Sequence, residues 1–287
     1  GVVDVTEDHS LLLDNGEIIK PGEVDVGTKL LHGDCVRAFT REPDEFVTIE
    51  EAKVMGFFFG DGSCGHYGKK YTWALNNSNL DHLIEMQNLC PFETSIYDTL
   101  GSSRVYKLNA KGQVKAISAK YRSLFYNKHK EKVVPSCILN GPIGVVQSFW
   151  RGYYMADGDK DVNGYTRMDI KGKEGSMGMC ILGRRLGYNV SINTRRDKPN
   201  VFRQTWTTSP QRKNPIAIKK IEIVGETDGY VYDLTTESHH FHVGPGDLVV
   251  HNTDSIFLKF NSLKNDDGEE LQGKERLQAS IDKSIEL

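Results

Sequence analysis

Residues 54–62, VMGFFFGDG, and residues 149–158, FWRGYYMADG, decide the fold of this chain. Each holds a small residue, an apolar triplet, a second small residue and then Asp-Gly. In the first these are Gly56, Phe57 to Phe59, Gly60, Asp61 and Gly62; in the second, Gly152, Tyr153 to Met155, Ala156, Asp157 and Gly158. Asp61 and Asp157 are 96 positions apart, so the chain carries an internal duplication. Both segments read as helix ends. Thr48 and Glu51 have the spacing of a capping box ahead of the first, and Pro142 opens the second. Small residues four apart share one helical face and let two helices meet backbone to backbone. A carboxylate at a helix C-terminus faces the negative end of the macrodipole, and two side by side repel further. A divalent cation between them removes the conflict, and paired carboxylates holding Mg²⁺ on phosphate oxygens serve metal-dependent phosphodiester cleavage. The plain alternative is that each Asp-Gly only stops its helix, glycine being the favoured residue there. A calcium loop fails: Asp157, Asp159 and Asp161 alternate as in an EF-hand, but the sixth position is Val162, not Gly, and the twelfth is Met168, not Glu.

The 287 residues around these motifs suffice for one large domain or two ordinary ones. No apolar run is long enough to cross a bilayer and the start GVVDVTEDHS has no secretory pattern, so no membrane partner is expected. Five scattered cysteines without a CxxC pair suggest neither a disulfide framework nor a zinc site, and an intracellular, reducing compartment is expected. The formal net charge of -3 argues against a nucleic-acid partner only until it is divided along the chain. Residues 102–151 hold 10 basic and 1 acidic residues, net +9, and residues 160–220 hold 14 and 4, net +10. With the acidic link 152–159 the stretch 102–220 carries +17, between flanks that are acidic throughout. Such segregation fits an internal segment facing a polyanion. Near the start, LLLDNGEII sets Asn15-Gly16 between apolar flanks, a hairpin signal in a β-like segment.

The two motifs resemble those of the LAGLIDADG homing endonucleases, and the resemblance spans residues 48–205. It implies a pseudo-twofold αββαββα fold whose motif helices pack together and whose saddle of β-sheets grips double-stranded DNA. It also implies a monomer, since one chain holds both motifs, with Asp61 and Asp157 as the metal-binding catalytic pair and Mg²⁺ as cofactor. KVVPSCIL resembles the block ahead of the second motif, making Lys132 a candidate basic residue near the scissile phosphate; RRLGYNVSINTRRDKPNVFR resembles the block after it, with Lys198 as the counterpart. The first motif departs from the family in Phe59 and Gly60, where Asp and Ala are usual, but keeps Asp61.

The flanks make a second match. VYDLTTESHHFHVGPGDLVVHN ends in His251-Asn252, followed by Thr253, and closely resembles the C-terminal splicing blocks of inteins; TEDH, with Thr6 and His9, resembles their TxxH block. The order of TxxH, two LAGLIDADG motifs, VYDL and VVHN-T is that of a large intein with a nested endonuclease. Residues 1–47 and 206–252 would then form an all-β Hint-type splicing domain lacking its first strands, with residues 48–205 inserted. The resemblance implies that His9 assists an N-terminal acyl shift, Thr253 attacks the resulting ester, and Asn252 cyclises onto its own carbonyl. His251 would polarise that carbonyl, with His239 and Asp233 assisting proton transfer and no cofactor needed. The family's first block, with its Cys or Ser nucleophile, lies some tens of residues before TxxH, so this chain is expected to begin inside the intein and not to splice completely as given; Gly1 is no nucleophile and Cys35 lies after TxxH.

Beyond Asn252, TDSIFLKF, the acidic NDDGEE and LQGKERLQASIDKSIEL resemble family-B DNA polymerases from the palm motif YGDTDS onward. Residues 253–287 would be the start of a host palm segment, with Asp254 a polymerase metal ligand once splicing joins it to the missing upstream part. Residues 274–286 read as an amphipathic helix. Two other readings stay open: a free-standing homing endonuclease, and a degenerate intein relic that no longer cuts.

Overall fold

The computed structural model of the protein describes residues 3, 5–7, 9–33, 46–160, 165–195, 197–209, 214–223, 225, 234–244 and 246–252. Asp233, Thr253, Asp254 and the palm-like segment with its expected helix lie outside the described residues.

The first motif ends helix α1 (Ile49–Asp61) and the second ends α6 (Ile143–Asp157). Thr48 caps α1 by accepting the Glu51 amide at 3.1 Å, and Glu50 and Glu51 meet the positive end of its dipole. The expected capping box is only half made, because the Glu51 carboxylate is drawn off to Lys120 at 3.1 Å on helix α4 (Val114–Phe125). The two motif helices run parallel at close quarters: Ser148 Oγ donates to the Ile49 carbonyl at 2.6 Å near their starts. A Cβ on Gly56 would lie 1.9 Å from the Phe149 carbonyl oxygen, and one on Gly152 would lie 1.9 Å from that of Lys53. The small residues are therefore demanded by the partner backbone, in a contact that repeats itself under the 96-residue offset. Gly60 meets Ala156 and Asp157 at the far end, where a Cβ would come within 2.8 Å and 3.2 Å of theirs.

Each motif helix feeds a four-stranded antiparallel sheet. In the first half α1 runs into β3 (Gly62–Tyr67) and β4 (Lys70–Asn77), then α2 (Leu80–Leu89), β5 (Thr94–Asp98), the short α3 (Leu100–Ser103), β6 (Tyr106–Ala110) and α4. After the short α5 (Ser136–Leu139), α6 runs into β7 (Asp159–Lys160) and β8 (Thr166–Lys171), then α7 (Lys173–Arg185), β9 (Asn189–Thr194) and β10 (Val201–Thr207). The sheet orders are β3-β4-β6-β5 and β7-β8-β10-β9, the same arrangement of first, second, fourth and third strand. One core lies beneath both sheets. Phe58 packs on Trp73, Tyr121 and Phe125 in the first half, and Trp150 stacks on Trp206 at 4.2 Å in the second. Each fully buried aromatic of this kind contributes about 2–3 kcal/mol.

A third sheet joins the two ends of the described chain. β1 (Ser10–Leu12) and β2 (Ile18–Ile19) form the expected hairpin, closed by Gly16 at φ +87 with its amide on the Leu13 carbonyl at 2.9 Å. β11 (His240–Val243) and β12 (Leu248–His251) complete the order β11-β12-β1-β2 over a small core of Leu11, Leu30, Leu248 and Val250.

Candidate active site and splice-junction cluster

The parallel packing of α1 and α6 brings Asp61 and Asp157 to one end of the helix pair. Each lies where its helix runs straight into the first strand of its own sheet. Gly62 and Gly158 follow in extended conformation, φ -89 and φ -78, so neither is a left-handed helix stop. A side chain at either would strike the ring of Phe58 or Tyr154. The Asp61 carboxylate accepts from Asn77 at 2.7 Å, and Asn76 holds the Asp61 carbonyl at 3.2 Å. Burial, with the charge of Asp157 adding to it, pushes the Asp61 carboxyl up to about 6 against the pull of Asn77 and Lys132. Burial likewise raises Asp157, which Lys132 opposes and Asp169 reinforces.

Lys132 answers the dipole conflict at the end of α1. Its ammonium donates to the carbonyls of Phe58, Phe59, Gly60 and Gly62 at 2.8, 3.0, 3.1 and 2.7 Å. Burial lowers it to about 8, although Asp61 and Asp157 both favour its charge. The structure thus brings one predicted lysine to the carboxylate pair, with its donors committed to backbone oxygens. Lys198, by contrast, is exposed in the β9–β10 turn and ion-paired with neither carboxylate. Three neighbours were not expected from the sequence: Asn76, Asn77 and Tyr153. The Tyr153 hydroxyl lies one turn before Asp157, fully buried and without a hydrogen-bond partner, its ionisation suppressed by burial and then by Asp157. The pleat of β4 hints at Asn77, but its meeting with Asp61 depends on the β3–β4 turn.

The donor set fits a hard cation. Two partly buried carboxylates that burial makes reluctant to ionise, close to an unpartnered hydroxyl, favour a positive counter-charge. Among the described residues no group of three or more His, Cys, Asp or Glu side chains is arranged to hold a metal ion. Asp61 and Asp157 would supply carboxylate oxygens to such an ion, and Mg²⁺ is commonly held by one or two carboxylates while keeping several waters.

The sheet faces turned away from the core are polar and basic. Trp73, Leu75 and Leu108 point inward, so Lys70, Thr72, Lys107 and Asn109 occupy the other side of the first sheet. In the second, Met168, Ile170 and Trp206 are buried while Arg167, Lys171, Arg203 and Thr205 face out. Arg203 binds Asp169 with two bonds, at 2.8 and 2.9 Å, and Arg195 joins from the side. The hydrogen bonds from Arg203 and Arg195 hold the Asp169 carboxyl below the usual range.

In the third sheet Asn252 is buried directly after β12. Its amide donates to the His239 carbonyl at 2.8 Å, and its side-chain oxygen lies 3.3 Å from His239 Nδ1. His251 Nδ1 lies 2.6 Å from the Asn252 main-chain carbonyl oxygen, and the His239 and His251 rings lie nearly parallel with centroids 6.0 Å apart. His239 holds this position in the left-handed region, φ +57. Thr6 and His9 form one turn, the His9 amide on the Thr6 carbonyl at 3.2 Å. Ser10 pairs with His251, which sets His9 one residue from the strand that carries Asn252.

A mesophilic variant of the homing endonuclease I-DmoI is 16% identical over 55% of this chain and 88% of its own, with a TM-score of 0.42. The homing endonuclease I-WcaI bound to its DNA recognition sequence is 15% identical over 62% of this chain and 88% of its own, with a TM-score of 0.39. In sequence the chain is 47% identical, over an alignment of 304 positions, to a DNA polymerase of Acanthamoeba polyphaga mimivirus. That alignment covers 99% of this chain and 17% of the polymerase, so the chain spans about a sixth of its relative. No family model matches.

Proposed function

We propose that this chain is part of an intein-bearing family-B DNA polymerase precursor, in which residues 48–205 form a site-specific double-strand DNA endonuclease. Residues 1–47 and 206–252 form its splicing domain, and residues 253–287 begin the host palm segment. The observation that carries the endonuclease reading is the meeting of Asp61 and Asp157 at one end of two backbone-packed helices, between duplicate sheets with basic outer faces. A bound Mg²⁺ would offset the two carboxylates and stabilise negative charge on the phosphate. Asp61 and Asp157 would hold that ion. Asn77 fixes the rotamer of Asp61, Lys132 neutralises the α1 carbonyls beneath it, and the outward lysines and arginines of both sheets bind phosphates along the duplex. One chain supplies both carboxylates, which fits a monomer. Lys198 would act, if at all, as a phosphate contact from its turn. The free cysteines Cys64, Cys90, Cys137 and Cys180 suit a reducing compartment. The test is cleavage of an uninterrupted polymerase-gene target with Mg²⁺ present: cutting is expected from the parent chain and not from Asp61→Ala. Identical behaviour of the two would refute the assignment.

The splicing reading rests on the Asn252 cluster. In the Nδ1–H tautomer His251 donates to the Asn252 carbonyl, making its carbon more electrophilic. Cyclisation then joins Asn252 Nδ2 to that carbon and breaks the bond to the Thr253 nitrogen, which takes up a proton. His239 can accept the proton lost by Nδ2 once the Asn252 amide is turned over, since Nδ2 then replaces Oδ1 beside Nδ1. Asp233 and Thr253 keep their proposed roles, as proton relay and as nucleophile toward the upstream ester assisted by His9 and Thr6. Asp254 would serve as a metal ligand of the joined polymerase. Release of a peptide beginning at Thr253, lost in Asn252→Ala, is the expected result; release that survives this substitution would refute cyclisation.

A further inference from the structure

Adjacent arginines end helix α7, and each grips a different part of the molecule. Arg185 donates to the Leu139 and Gly141 carbonyls in the turn that opens α6, the second motif helix. Arg184 points the other way and forms an ion pair with Asp247, one residue before β12. The pair is largely shielded, with side-chain exposures of 19% and 15%, and so is only weakly screened. Asp247 is itself a hinge point. It sits at φ +52, an unusual conformation for a residue with a side chain, and its carbonyl takes the Gly33 amide at 2.9 Å. From there β12 runs for four residues, with Val249 tied to Leu31 at 2.9 Å and His32 bridged to Leu248, and delivers His251 and Asn252.

We infer that Arg184 is a positioning residue for the splice junction: by clamping Asp247 it fixes the turn that sets β12, so the endonuclease fold holds the strand on which Asn252 reacts. Among the described residues the fully buried core of this sheet is small, Leu11, Leu30, Leu248 and Val250, so an outside contact adds substantially to what holds β12. The clamp makes the endonuclease more than an insert carried by the splicing domain, because its last helix supplies part of the framework of Asn252. The inference rests on the splicing reading only for its consequence at Asn252; the clamp itself is a property of the fold.

Two measurements separate these. Hydrogen exchange is followed on the full chain carrying Asn252→Ala, so that no cleavage intervenes. Adding Arg184→Ala should speed exchange of the amides of residues 247–252 by about tenfold or more, the effect of losing one partner of a mostly buried pair, while α1 and the first half of α6 keep their protection. Asp247→Asn, which tolerates the left-handed backbone, should do the same, and the double variant should be no worse than either. Unchanged exchange, or additive effects, overturns the clamp. In the chain with Asn252 intact, Arg184→Ala should slow release of the peptide starting at Thr253 by a similar factor. Parental release rates alongside loosened β12 would overturn the positioning role. Absence of release from the parent would instead count against the splicing reading, leaving the exchange result to decide the clamp.

Discussion

Replacing Asp61 by Asn should stabilise the fold while removing the proposed DNA cleavage. The substitution leaves an oxygen for Asn77 and deletes one of two like charges held near the negative ends of two helices. The carboxyl stands at about 6, against 3.8 when unperturbed, a rise of roughly 2 units caused first by burial and then by Asp157. At about 1.4 kcal/mol per unit the ceiling is about 3 kcal/mol. The group is partly exposed, so solvent screening brings the expected gain to about 1–2 kcal/mol. The sign follows from the raised value. The unfolded chain loses the proton first, so the penalty on the native state is absent below about pH 4, grows between about pH 4 and 6, and is complete above. Urea unfolding followed by fluorescence of the buried Trp73, Trp150 and Trp206 measures it directly. The gain from Asp61→Asn should be present at about pH 8 and vanish toward about pH 4. Mg²⁺ should raise the stability of the parent and leave the variant nearly unchanged, because binding to the native state is stabilising only where the site exists. A variant less stable than the parent at about pH 8, or a difference independent of pH, would refute the account of the site as a frustrated carboxylate pair.

Gly152→Ala should cost about 3 kcal/mol or more, since its Cβ would fall 1.9 Å from the Lys53 carbonyl and must push the motif helices apart; a thermal unfolding midpoint equal to the parent's would contradict the packing. Lys132→Met should destabilise by about 2–4 kcal/mol by leaving the α1 carbonyls without their donor. It should also move the Asp61 carboxyl above about 6, because Lys132 is one of the groups that lower it; carboxyl NMR titration reads the shift.

Much of the duplicated fold was legible because helix contact of this kind leaves a local mark. Gly56, Gly60, Gly152 and Ala156 are needed wherever two backbones touch, and the 96-residue offset repeats the requirement. The mark also shows where inference from local rules falls short. Glu51 is spaced to complete a capping box, yet its carboxylate goes to Lys120, 69 positions on, because a charged partner outcompetes a second backbone amide. Gly62 and Gly158 do follow the last residue of each helix, but in extended rather than left-handed conformation, and a neighbouring ring fills the space a side chain would need. Lys132 was legible as a basic residue near the site, but its four carbonyl partners were not, since they depend on how the segment between α4 and α5 crosses the end of α1.

The sequence by itself determined the duplicated helices, the identity of the carboxylates that end them, the basic stretch between acidic flanks and the His-Asn step near the end of the described chain. Each is a matter of periodicity, charge or short-range order along the chain. Only the tertiary structure decided that Asp61 and Asp157 share one end of a parallel pair, that Asn77 and Tyr153 lie beside them, and that Arg184 reaches Asp247. Those depend on contacts between residues far apart in the chain, and such contacts are set by which backbones can approach and which charges can be shielded once the helices and sheets have packed.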